Sequence, residues 1–374
     1  MKETVLFLSE FHGSYPGSFM TSLWALEDYL STLPEPDRIG VVYAFPDECR
    51  QFQWCKTMEK EGKRVYYYHR TDVKNDYRYL CSVVKKEKIT IIHTHFEAMG
   101  RAVYLFSFLH PHVLVVWHRR NDFSLGAKQA KTFFLMIKRY VTDRLVTTIA
   151  LSPHMNTKRG YVLENHLDVD RIPGDWKNPS RNVIRERFGF TNRDIIVLMF
   201  GWNKEVKGVD IGCRMLQYLP DDTREKIRLC IVMPDNEENR DYIRNHSKFP
   251  EQVYLLEKTD DVFQYHCSAD IMLSASRSEA FANTILEALS VATTVVSSDI
   301  PGTQWSKQYA SVFFFESNNP SDAARALCAS IQSADDRNEK NQQAEEIQSK
   351  YAIHHWCEAI YQIYCAEKGK KSAV

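Results

Sequence analysis

Ala269-Asp-Ile-Met-Leu-Ser-Ala-Ser-Arg-Ser-Glu-Ala-Phe-Ala-Asn-Thr-Ile-Leu-Glu-Ala-Leu-Ser290 reads as a short apolar strand, a loop of small residues and then a helix. Glu279 stands in the loop and Glu287 inside the helix, with seven residues between them. The first backbone N–H groups of a helix have no intrahelical partner, so Ala280, Phe281, Ala282, Asn283 and Thr284 form a candidate seat for a diphosphate. Small side chains let phosphates approach. Glu287 lies about one turn further in, where it can accept hydrogen bonds from a ribose. Glu279, across the phosphates, is placed to address a sugar ring. A solvated loop acid and an ordinary helix-surface acid have the same spacing, so the pair counts only with its setting.

That setting is a repeated βα pattern on both sides. Thr4–Leu8, Ile39–Tyr43, Ile89–His93, Val113–Trp117 and Thr147–Leu151 read as strands of one parallel sheet. Ile195–Phe200, Arg228–Val232, Gln252–Leu256, Ile271–Leu273, Thr294–Ser297 and Ser311–Phe315 read as a second. Between them two prolines and a glycine in Arg171-Ile-Pro-Gly-Asp-Trp-Lys-Asn-Pro-Ser180 suit a linker. The expected fold is α/β, with two Rossmann-like doubly wound domains over residues 1–175 and 176–350, facing across a cleft. Residues 334–350 read as an exposed helix. Trp356, Ile360 and Ile363 then form an apolar stripe in a last helix, 351–374, expected to cross back and join the first domain.

Composition excludes several classes. Hydrophobic residues make up 44% and charged residues 26% of 374, which fits a folded globular protein rather than a disordered or fibrous one. Forty-eight basic residues balance forty-eight acidic ones, so no global charge draws the chain to nucleic acid. Residues 101–150 are a local exception: Arg101, Arg119, Arg120, Lys128, Lys131, Lys138, Arg139 and Arg144 face only Asp122 and Asp143. The nine cysteines are scattered without CxxC or zinc-ligand spacing, as expected of reduced thiols in the cytoplasm. Val5-Leu6-Phe7-Leu8 is too short for a signal-peptide core, and no apolar run approaches the ~20 residues of a membrane span.

Taken with its surroundings, the Glu279–Glu287 segment resembles the retaining glycosyltransferase family 4, of the GT-B fold. In that family the paired glutamates are followed by a strand ending in Ser-Asp and a glycine turn, here Val295-Val-Ser-Ser-Asp-Ile-Pro-Gly-Thr303. Phe200-Gly-Trp-Asn-Lys-Glu-Val-Lys-Gly-Val-Asp210 is similar to its glycine-to-Lys-Gly phosphate loop. Ile92-His-Thr-His-Phe96 and Leu163-Glu-Asn-His-Leu-Asp168 are similar to its N-terminal landmarks. The resemblance implies transfer of a sugar, of hexosyl type, from a UDP- or GDP-sugar to a saccharide, lipid-linked or small-molecule acceptor, with retention and without a cofactor or metal. It makes Glu279, His118 and Lys207 the catalytic candidates, and Glu287, residues 280 to 284, Gly17, Gly201, Asn203 and Lys204 the donor-binding ones. There are departures. Trp202 occupies the family's arginine position, the usual Glu-Gly-Phe-Gly is Glu279-Ala-Phe-Ala282, and the usual glycine near the helix end is Ala292. The N-terminal Gly-Gly loop is replaced by Gly13-Ser-Tyr-Pro-Gly-Ser18.

Each residue also has a plainer reading. His118 ends a strand at its ligand-facing side but also reads as a structural histidine. His93 and His95, two apart, are expected on opposite faces of their strand, without a shared metal. Phe133, Phe134, Ile137, Tyr140 and Val141, set among cations in 131–144, fit a helix packed on its own sheet or one lying on an anionic membrane. A sugar-nucleotide epimerase or hydrolase, and a non-catalytic subunit of a glycan-assembly complex, are the rival readings.

Overall fold

The computed structural model describes residues 3–96, 98–120, 145–155, 160–179, 182–333 and 336–372. The stretch 131–144, with Lys128, the cations within it and the acids Asp122 and Asp143, lies outside the described residues. Two compact units result. The first is Met1–Asn165 with Ile353–Val374, and the second is His166–Ala352. The division therefore falls between Asn165 and His166, and the Pro-Gly stretch at 171–180 belongs to the second unit. Leu167 N–H donates to Tyr351 O at 2.7 Å, tying that unit's entry to its exit.

In the first unit the strands are β1 (Glu3–Ser9), β2 (Ile39–Pro46), β3 (Val65–Tyr68), β4 (Ile91–His95), β5 (Leu114–Arg119), β6 (Thr147–Ala150) and β7 (Gly160–Val162). They form one parallel sheet in the order β3-β2-β1-β4-β5-β6-β7. Strands buried on both faces explain the continuous apolar runs. Val5 and Phe7 enter a layer with Met20 and Leu23 of the helix Gly17–Thr32 and with Trp356, Ile360 and Tyr364. Leu6 and Leu8 enter the opposite layer, with Leu80, Val83, Ala102 and Phe106. The last helix, Ile353–Ser372, is thus part of the first unit's core, against the helix Gly17–Thr32 and β5.

The second unit carries β8 (Ile195–Phe200), β9 (Ile227–Val232), β10 (Val253–Leu256), β11 (Ile271–Ser274), β12 (Thr294–Ser298) and β13 (Val312–Phe315). Their order is β10-β9-β8-β11-β12-β13, again parallel. Val197 and Met199 pack on Ile211, Ala323 and Leu327, while Ile196 and Leu198 face Ile184 and Leu256. Among the described residues no helix is long and apolar enough to cross a membrane.

Ala292 sits at φ 61, just past the helix Asn283–Leu289, where Thr293 N–H bonds Ala288 O at 3.0 Å. This left-handed cap favours glycine. Ala292→Gly is expected to stabilise the second unit by about 0.5–1 kcal/mol, the strain relieved being partly offset by glycine's greater freedom when unfolded. A urea midpoint that falls in the variant would contradict this.

Candidate active site

The C-terminal ends of β8 and β11 set the site in the second unit. After β8 the chain turns through Gly201, Trp202 and Asn203 into the short helix Lys204–Lys207, which Asn203 caps by accepting Val206 N–H at 3.3 Å. The Lys-Gly pair that follows is a packing requirement. Gly208 holds φ +66, and a Cβ there would lie 2.1 Å from Ala275 O, at the exit of β11. Gly201 is buried against Ile231 and Val209.

Two loops are thereby pressed together and cross-linked. Arg277 N–H donates to Val206 O at 2.8 Å, and its Nη2 donates to Asp210 Oδ2 at 2.8 Å. Inside this clamp Lys207 Nζ meets Glu279 Oε1 at 2.5 Å, with only 10% and 14% of the two side chains exposed. Ser276 Oγ donates to the same carboxylate oxygen at 2.8 Å. Glu279 is supported from below by the glycine turn: a Cβ on Gly302 would lie 2.1 Å from Glu279 O. Ala282 N–H donates to Gly302 O at 3.3 Å, so this amide of the proposed diphosphate seat already has a partner. Ala280, Phe281 and Ala282 are buried, while Asn283 and Thr284 are partly open.

Glu287, on the helix Asn283–Leu289, stands 3.7 Å from Nε2 of the fully buried His266. Lys204 turns away from the Lys207–Glu279 pair: its ammonium donates to Glu238 at 2.6 Å and Asn239 at 3.1 Å. Arg277, Asp210, Ser276 and His266 were not singled out by the sequence reading. The signal for Arg277 was its place two residues before Glu279, inside the motif itself.

In the first unit, Gly17 begins the helix Gly17–Thr32, and His118 lies near the end of β5. The histidines correct the strand argument: residues two apart share a face. The rings of His93 and His95 are 4.3 Å apart, His118 pairs in register with His95, and its ring stacks on His93 at 5.4 Å. All three are fully buried, and their ligand nitrogens lie within 4.8 Å of one another. A metal ion bridges such spacings, but Arg120 Nε donates to His95 Nδ1 at 3.4 Å and sets a guanidinium against the cluster, which opposes a second cation. Tyr364 of the last helix bonds His93 Nδ1 at 2.6 Å.

Burial, reinforced by Arg120, pushes His93 down to about 3, and burial with its charged neighbours takes His95 down as well. A depressed imidazole stays neutral in the native state while the unfolded chain takes up protons below about pH 6.5. The first unit should therefore lose stability as pH falls from about 6.5 towards 3, by up to about 1.4 kcal/mol per pH unit per histidine. Urea midpoints at pH 7 and 4.5 test this, and His93→Gln should flatten the slope. Equal midpoints would refute it.

Residues 194–333, which hold Lys207, Glu279 and Glu287, match the family model described as Glycosyl transferases group 1. That stretch of the second unit is similar to the group 1 glycosyltransferases. The lipopolysaccharide glucosyltransferase WaaG of Escherichia coli (strain K12) is 23% identical over 175 residues, 47% of this chain and 46% of WaaG. The alignment thus spans about half of each protein. Among solved structures, sucrose-phosphate synthase from Thermosynechococcus elongatus superimposes with a TM-score of 0.77 at 12% identity, covering 99% of this chain and 100% of that one. HepE of Anabaena in complex with UDP gives 0.75 at 16% identity, over 98% and 100%. WaaG itself gives 0.67 at 13%, over 96% and 99%. At these identities the likeness is one of fold: the chain has the two-sheet GT-B architecture.

Proposed function

We propose that this chain transfers a hexose, with retention, from a UDP- or GDP-sugar to a saccharide, lipid-linked or small-molecule acceptor, in the synthesis of a cell-surface polysaccharide or glycoconjugate on the cytoplasmic side of a membrane. The second unit takes the donor and the first the acceptor. The observation that carries the reading is the buried Lys207–Glu279 pair at the C-terminal end of the second sheet, with Glu287 on the adjoining helix. A solved relative, HepE, is described in complex with UDP-glucose, which favours UDP among the two bases.

In this reading a diphosphate brings negative charge to Lys207 and competes with Glu279 for its ammonium. Lys207 then neutralises the departing diphosphate, and the released Glu279 accepts hydrogen bonds from the sugar hydroxyls. The acceptor attacks on the face from which the diphosphate leaves, and the leaving group takes the acceptor's proton, so no protein nucleophile is needed. Glu287 holds the ribose. The lysine and the backbone at 283 to 284 supply the positive potential, without a metal ion.

A thermal-shift panel tests the reading. UDP-glucose or GDP-mannose at about 100 times its Kd should stabilise the protein by roughly 2.7 kcal/mol, and excess EDTA should not remove the effect. Glu287→Ala should raise the nucleotide Kd about ten- to a hundredfold, the loss of a charged hydrogen-bond acceptor. No shift with any nucleotide-sugar would end this reading.

A further inference from the structure

Trp202 is 64% exposed, and no other tryptophan stands among the exposed large hydrophobic residues described. An indole is ordinarily well buried, because its large apolar surface is unfavourable in water. Here it occupies the turn between β8 and the helix Lys204–Lys207, beside the site's most buried charges. Lys207 Nζ lies 5.2 Å from the ring centroid and 2.5 Å from Glu279 Oε1. Ring, ammonium and carboxylate are therefore consecutive neighbours, and most of the ring stays open to solvent.

A pyranose presents two chemistries. Its hydroxyls need acceptors and donors, and its axial C–H groups form apolar patches that lie flat on an aromatic face. Glu279 supplies the first and Trp202 the second, within one side-chain length of each other. A nucleobase also stacks on indole. Glu287, the group assigned to the nucleoside, instead stands 3.7 Å from His266, whose ring packs against Phe200. Trp202 stands with the sugar-addressing group.

We propose that Trp202 is a sugar-binding residue that stacks on the hexose ring of the donor and orients it beside Glu279. The inference rests on the transfer reading given above. It assigns selectivity for the sugar to a side chain separate from those that hold the nucleotide.

The test compares a nucleoside diphosphate with its sugar conjugate in the full chain, using UDP with UDP-glucose and GDP with GDP-mannose by calorimetry. Because Trp202 is exposed, Trp202→Ala and Trp202→Phe should both keep the wild-type melting temperature. Trp202→Ala should weaken binding of the nucleotide-sugar about three- to tenfold, while leaving the matching diphosphate within about twofold. Trp202→Phe, which keeps a ring face, should recover most of the loss. Equal weakening of conjugate and diphosphate would assign Trp202 to the phosphates or base and overturn the proposal. No weakening of either would also overturn it, and both results leave the transfer reading standing. If wild-type protein binds neither pair, the transfer reading and this inference fall together.

Discussion

Glu279→Gln is expected to lower transfer by at least about 10²-fold while the nucleotide dissociation constant changes less than about threefold. The glutamine keeps the size of the side chain and can still accept from Lys207 and Ser276, so the clamp of the two loops should persist. What it loses is the charge that aligns the sugar's hydroxyls. Glu279→Ala is the harsher version: it leaves the ammonium of Lys207, only 10% exposed, without its carboxylate, so part of its effect will be on stability. Steady-state transfer measured beside calorimetric binding of UDP separates the two. Near-wild-type transfer by the glutamine variant would remove Glu279 from the chemistry.

The second large effect concerns the last helix. Deleting residues 353–374 should unfold the first unit and spare the second. Trp356, Cys357, Ile360, Ile363 and Tyr364 all belong to the first unit's core cluster. Large side chains of this kind contribute about 1.5–3 kcal/mol each on burial, which together is comparable with the ~5–15 kcal/mol net stability of a whole domain. Hydrogen exchange should report loss of protection in β1, β4 and β5 with protection retained in β8 and β11. Trp356→Ala, a milder change, should destabilise the same strands by about 3–5 kcal/mol. Retained protection of β1 in the truncated chain would show that the helix is dispensable.

Most of the sheet architecture was legible because parallel strands buried on both faces leave apolar runs that periodicity detects. Ile195–Phe200 and the five runs after it each correspond to a strand within a residue or so. The two strands the sequence reading missed, β3 and β7, are the edges of the first sheet, at four and three residues. Edge strands need no long apolar run, and Val65-Tyr-Tyr-Tyr68 resembles a loop rich in tyrosine as much as a strand. In the site, the two glutamates and Lys207 were visible through spacing, but their pairing was not. Lys207 and Glu279 are separated by 72 positions, and only the close approach allowed by Gly208 brings them together. The histidines failed for a different reason: two residues along a strand is a full period, so His93 and His95 converge, and the register that adds His118 is a property of the sheet alone.

The return of the chain to its first unit also sets an order of assembly during synthesis. A ribosome releases β1 to β7 long before it releases Ile353–Ser372, so the layer containing Val5 and Phe7 must wait, incomplete, for the whole of His166–Ala352 to emerge. The second unit has all its strands and its own core before that last helix is made, and can fold while the first is still waiting. The N-terminal sheet, begun earliest, is the part finished last, and its unfilled apolar face is what a nascent-chain chaperone would meet.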